Sequence, residues 1–150
     1  MIVGPAEWNN LYALHELELP EDDRHLIVTF HYYAPFEFTH QGADWADGSA
    51  DWLGTTWRGT SAEQEAIRHD LDVAVLWAAY HQRPLYLGEF GVYSAADMAS
   101  RAAWTDFVAR QAESRGMAWA YWEFCSGFGV YDPDRDVWRE PLLEALVPAD

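Results

Sequence analysis

The chain has one cysteine, Cys125, in 150 residues. That excludes an intrachain disulfide and a cysteine-rich zinc site, and the thiol reads as a small buried hydrophobe beside an aromatic run. Basic residues are scarce: nine Lys plus Arg stand against 25 Asp plus Glu, for a formal net charge of -16. Phosphate recognition needs a basic surface and counterion release, so nucleic-acid binding is excluded, while a neutral or cationic substrate is tolerated. No apolar stretch reaches the ~18–20 uncharged residues that a membrane helix needs. The amino terminus has no basic region leading into a long apolar one, so no signal peptide is visible and the compartment stays open. Instead, Met1-Ile2-Val3-Gly4-Pro5 reads as the end of a strand already running.

What is present is apolar and aromatic. Half of the residues are hydrophobic, enough over 150 residues for one compact domain with a real core. Nine Trp, eight Tyr and seven Phe fit an aromatic core. They also fit a carbohydrate cleft, because the apolar faces of sugars stack on rings. No linker, low-complexity tract or short repeat divides the chain, so residues 1–150 read as a single domain.

Apolar runs alternate with helical patterns. Ile2 to Glu7 opens as a short strand punctuated by Gly4 and Pro5, and Trp8-Asn9-Asn10 forms a polar, aromatic strand end. A short helix over 11–17 and a turn at Pro20-Glu21-Asp22-Asp23 lead into residues 26–33, whose β-branched, apolar and aromatic residues suit a strand buried on both faces. A period of two puts Thr29, His31 and Tyr33 on one face and Val28, Phe30 and Tyr32 on the other. Residues 34–60 lack periodicity, hold Trp45, Trp52 and Trp57, and read as an ordered functional loop.

A helix is expected over 61–82, capped at Thr60 or Ser61, with Ile67, Leu71, Ala74, Val75 and Ala78 as its apolar stripe. A second, opened by Ser94-Ala95-Ala96-Asp97, runs to about Ser114 and stops at Gly116. Strands over 85–90 and 117–124 alternate with these, then a glycine-rich loop over 126–133 and a last helix over about 140–146. This alternation implies a parallel sheet with crossover helices. About four units are present, whereas a whole (β/α)8 barrel takes ~250 residues.

In such a fold the carboxyl-terminal strand ends carry the chemistry. Glu89 stands at one of them and, sharing a face with Leu85 and Leu87, is expected to point inward over a packed layer. His31 and Tyr33 fall at the end of the preceding strand and Trp122 at the end of the next. Together they fit a carboxylate that attacks an anomeric carbon, with His31 and Tyr33 hydrogen-bonding it and Trp122 as the floor for a sugar ring. Taken singly, each has a plainer reading: Glu89 as a cap or ion-pair partner, His31 as a satisfied core histidine, Tyr33 and Trp122 as packing. A metal site of His31, His40 and Glu89 is a further reading, although the His31 to His40 spacing matches no helical or hairpin ligand motif. His15, His25, His69 and His81 fall at turns or on helices and read as solvated.

The segments His31-Tyr32-Tyr33-Ala34-Pro35, Leu87-Gly88-Glu89-Phe90-Gly91 and Ala120-Tyr121-Trp122-Glu123-Phe124, together with Gly4-Pro5 and Trp8-Asn9-Asn10, resemble the carboxyl-terminal half of glycoside hydrolase family 5, the cellulase-type endoglucanases. The resemblance implies an α/β chain forming half of a (β/α)8 TIM barrel, equivalent to its fifth to eighth strands. It implies a retaining glycosidase of β-1,4-glucan with Glu89 as nucleophile. His31, Tyr33, Trp122, Trp8 and Asn9 become substrate-binding residues, with no cofactor and no metal. Members of the family are often secreted.

Retention takes a second carboxyl group ~5–5.5 Å from the nucleophile. The family places it in an Asn-Glu pair at the end of the fourth strand, and no Asn-Glu dipeptide occurs here. A four-unit sheet also leaves two open edges and a bare apolar face, which drive association. A twofold homodimer is expected to close them into an eight-stranded pseudo-barrel. Glu123 then falls near the vacant acid position, although alternation turns it outward; Glu7 and a symmetry-related Glu89 are the other carboxylates in range. The alternative is a non-catalytic carbohydrate-binding or vestigial half-barrel that self-associates.

Overall fold

The computed structural model describes residues 1–149. Four parallel strands, β1 (Ile2–Val3), β2 (Ile27–Tyr32), β3 (Leu85–Phe90) and β4 (Ala118–Trp119), pair in chain order. Three helices follow the later strands: α1 (Ser61–His81), α2 (Met98–Ser114) and α3 (Glu140–Leu146). Strand order that advances without reversing, with a helix in each of the crossovers from β2 to β4, is the winding of a barrel rather than of a doubly wound sheet. The fold is half of such a barrel.

The helices cover one face. Val28, Phe30, Tyr32, Leu87 and Phe90 form a single buried cluster with Ile67 and Leu71 of α1, Trp104 and Val108 of α2, and Leu142 of α3. α1 begins at a capping box in which Thr60 accepts from the Glu63 backbone N–H and Glu63 from that of Thr60. Its buried stripe is Ile67, Leu71, Ala74 and Ala78. α2 is capped by Asp97, whose carboxylate accepts from Ser100 N, a bond that holds its pKa below the ordinary value. The Trp104 indole donates to Ala34 O at 3.1 Å and ties α2 to the end of β2.

The other face is bare at its lower end. Ile2 pairs with Ile27 there, and both remain exposed, at 55% and 38%. Fully covered strand faces do not leave isoleucine in water, so this face is open in the half barrel.

Three expectations need correction. The strand foreseen over 117–124 is regular only at Ala118–Trp119; past it, single bonds from Ala120 N to Leu87 O and from Trp122 N to Phe90 O continue the pairing, both at 2.9 Å. The glycine-rich loop leads into an antiparallel hairpin, β5 (Tyr131–Asp132) and β6 (Val137–Trp138), which has too few residues per strand to show a period. Cys125 is exposed, not buried. The loop over 34–60 is ordered: helical turns form at Phe36–Thr39 and Ser49–Trp52, and buried Gln41 donates to Phe38 O and Thr55 O while accepting from Gly54 N.

Candidate active site

A register shift aims Glu89. β2 and β3 pair Val28 with Leu85, Thr29 with Tyr86 and Phe30 with Leu87, then His31 with Glu89 and Tyr32 with Phe90. Gly88 is therefore one extra residue, a bulge. Cross-strand partners share a face, so Leu87 lies with Phe30 in the helix-covered core, both at 0% exposure, and Glu89 lies with His31 on the opposite face. Strict alternation, which grouped Glu89 with Leu85 and Leu87, would have driven the carboxylate into that core. Only glycine fits at the bulge, because a Cβ on Gly88 would stand 2.3 Å from Thr29 Oγ1.

Two side chains meet the same oxygen of Glu89. The Tyr33 hydroxyl donates to Oε2 at 3.0 Å, and His31 Nδ1 lies 3.2 Å from it. Burial, then the charge of Glu89, holds the Tyr33 phenol far above its ordinary pKa, so it remains a donor. Burial lowers the pKa of His31 against a smaller opposing pull from Glu89. At neutral pH this contact is thus a hydrogen bond from an uncharged ring rather than an ion pair. The other ring nitrogen, Nε2, lies 3.2 Å from Asn9 Nδ2.

Around Glu89 opens a cavity of about 1230 Å³ whose walls include His31, Tyr33, Trp8, Trp45, Trp122 and Phe128. Trp8, Trp45 and Trp122 are exposed, the state in which an indole can stack on a sugar. Asn9, expected among the substrate-binding residues, lies just behind the cavity wall between Trp8 and Asn10, with its amide turned to His31. His40 belongs to an aromatic stack, face to face with Phe36 at 4.0 Å and edge-on to Tyr33 at 4.9 Å. Burial pushes its pKa down to about 4. Among the described residues no group of three or more His, Cys, Asp or Glu is placed to hold a metal ion, and the reading that joined His31, His40 and Glu89 is set aside.

The family model for cellulase, glycosyl hydrolase family 5, matches residues 1–127. The chain belongs to glycosyl hydrolase family 5. Endoglucanase H of Acetivibrio thermocellus is 37% identical to it over 152 residues, 97% of this chain and 15% of that protein. Endoglucanase C of the same organism is 27% identical over 98% of this chain and 49% of that protein. Among solved structures, Thermotoga maritima Cel5A in complex with cellobiose matches with a TM-score of 0.94 at 50% identity, over 97% of this chain and 47% of that one. The same figures hold for Cel5A in complex with a mannotriose substrate. The cellulose synthase subunit Z of Clostridioides difficile matches with a TM-score of 0.91 at 38% identity, over 97% of this chain and 48% of that one. The chain spans about half the length of these structures and of endoglucanase C, and less of endoglucanase H.

For a family 5 chain, the remaining carboxylates decide what the site lacks. Glu123 accepts from the backbone N–H groups of Cys125 at 3.1 Å, Ser126 at 2.7 and 2.9 Å, and Phe128 at 3.1 Å. Both of its oxygens are occupied in bracing a loop, so it does not stand free as an acid. Glu7 lines the cavity, exposed, and accepts from Asn10 Nδ2 at 3.4 Å. Trp45 and Phe128 were not singled out as site residues, and His40 was weighed only as a metal ligand. Trp45 carried the only signal, a tryptophan in an aperiodic loop, whereas Phe128 and His40 reach the site through loop folding that no local pattern encodes.

Proposed function

We propose that this chain supplies the nucleophile half of a retaining β-1,4-glucan hydrolase. The observation that carries the reading is the doubly held carboxylate: Oε2 of Glu89 takes hydrogen bonds from Tyr33 and His31, while Oε1 is free to attack. In the reaction Oε1 forms a bond to the anomeric carbon as the glycosidic C–O bond breaks, and the leaving oxygen takes a proton from a second carboxyl group. Water then cleaves the glycosyl–enzyme ester, giving its proton to that second group. Trp122, Trp8 and Trp45 present rings to the sugar units, and Tyr33 and His31 keep the carboxylate aimed. Cellobiose and mannotriose bound to Cel5A support a β-1,4-linked ligand of glucose or mannose units.

The second carboxyl group belongs to the half that covers Ile2 and Ile27. We take that cover to be a second copy, a twofold homodimer that joins each β1 edge to the other's β4 edge. In that arrangement the acid position falls at the β4 end of the second copy, where Glu123 is already committed to its loop. A homodimer therefore binds glucan more readily than it hydrolyses it, and this same observation favours the binding-module reading for the chain acting alone.

The test combines three measurements on one sample. Light scattering is expected to show a dimer, and a monodisperse monomer sinks the homodimer. Binding to cello-oligosaccharides is expected for both wild type and Glu89→Gln. Whatever hydrolysis of a soluble cellulose derivative the wild type shows is expected to be slow and to vanish in Glu89→Gln; if neither form turns over while both bind, the chain is a binding module.

A further inference from the structure

The geometry points to Asn9 as a positioning residue: its amide N–H fixes the proton of His31 on Nδ1, where it is donated to Glu89. The role of Glu89 as nucleophile is the reading on which this rests; the placement of the proton does not depend on it.

His31 sits between two neighbours with opposite demands. On one side Glu89 Oε2, 3.2 Å from Nδ1, is an acceptor when ionised. On the other, Asn9 offers either an N–H donor or a carbonyl acceptor to Nε2 at 3.2 Å. A neutral ring carries one proton. With the proton on Nε2, that N–H would face the Asn9 amide N–H and the Nδ1 lone pair would face the carboxylate, donor against donor and acceptor against acceptor. With protons on both, the half-buried ring would be charged, which its burial opposes. The remaining arrangement has Nδ1–H donating to Glu89 and Nε2 accepting from the Asn9 amide, and it matches the observed amide orientation. An imidazole side chain free in water favours Nε2–H, so the protein selects the minor form.

The backbone around Asn9 is shaped for this one contact. Glu7, Trp8 and Asn9 all have positive φ, at 55, 55 and 59°. Such a run of non-glycine residues is costly and persists where the surroundings demand it. The Asn9 carbonyl oxygen occupies the space beside Gly4, where an added Cβ would lie 2.0 Å from it. An isolated bridge between Asn10 and His31 anchors the turn to β2. Gly4, the left-handed turn, Asn9, His31 and Glu89 thus form one chain of contact running from the end of β1 to the reacting oxygen.

The test reads the tautomer directly, by long-range proton–nitrogen NMR on ¹⁵N-histidine-labelled protein at neutral pH. Wild type is expected to show His31 as the Nδ1–H form. Asn9→Ala removes the donor, and the ring is expected to move toward Nε2–H. Asn9→Asp offers only acceptors and pulls a proton onto Nε2. Gly4→Ala keeps Asn9 but displaces its side chain, and should reproduce the shift seen with Asn9→Ala. Wild type found as Nε2–H, or Asn9→Ala and Gly4→Ala leaving the tautomer unchanged, overturns the proposal. If the variants do not fold, the wild-type spectrum alone decides. Loss of hydrolysis in Glu89→Gln would stand whichever way these spectra fall, so the two ideas fail separately.

Discussion

The two walls of the cleft each carry a glutamate on the carboxyl-terminal side of a strand, and they use it in opposite ways. At the end of β3, Glu89 is met by side chains on a single oxygen, and the loop beyond it does not depend on it. Four residues past β4, Glu123 has both oxygens saturated by backbone N–H groups of its own loop. That loop is further held by buried Arg101, which donates to Val92 O and Phe128 O at 3.1 Å each, and by the Tyr121 hydroxyl on Phe128 O at 2.7 Å. A carboxylate surrounded by backbone donors stabilises a loop; one surrounded by side-chain donors, with an oxygen to spare, is equipped to react. Residue type and side of the sheet are the same in both, and the identity of the donors is what separates the proposed nucleophile from the loop brace.

The largest effect that sharpens this contrast is Glu89→Gln. In an assembly that turns over glucan it should cut kcat by roughly 10³-fold or more, with an unchanged unfolding midpoint in urea. A large loss of stability instead would erase the distinction between the two glutamates.

Acid should attack the β2–β3 wall through His40. The unfolded chain takes that proton near its ordinary pKa of 6.5 and the folded chain only near 4. Between these values the unfolded state binds more protons, so stability falls as the pH drops from about 6.5 to 4, by on the order of 3 kcal/mol. Urea titrations across that range should show the slope, and His40→Gln should flatten it; an unaltered slope in the variant places the sensitivity elsewhere.

Tyr33→Phe removes one of the two donors to Oε2 and should lower kcat by roughly 10–100-fold with little change in KM. The smallest effect is expected from Glu123→Gln, which keeps the shape but offers only one accepting oxygen to the loop amides. It should cost about 1–2 kcal/mol in urea at neutral pH, and any loss of binding should track loop disorder seen by hydrogen exchange.

Much of this was legible in the chain because burial dictates composition. The continuous apolar runs of β2 and β3, the stripe of α1 and the Thr60 cap follow from local chemistry alone. Tyr33, His31 and Glu89 could be brought together by assuming that strand ends align. The orientation of Glu89 came out right by the wrong route, because a period of two cannot register an inserted residue; Gly88 was the clue, a glycine inside an apolar strand. Asn9 was assigned to substrate by its position, and its contact with His31 depends on a left-handed turn that Glu7 and Trp8 do not advertise. Glu123 and the β5–β6 hairpin escaped because their partners are backbone amides, which every sequence supplies equally.

In the proposed homodimer the bare isoleucines of β1 and β2 make folding and assembly one equilibrium. Whatever covers Ile2 and Ile27 binds the folded half and not the unfolded chain, so by mass action it adds about 2.7 kcal/mol once present at a hundred times its dissociation constant. Under that proposal the melting temperature of this chain is expected to rise with concentration, and dilution to act on it as a denaturant.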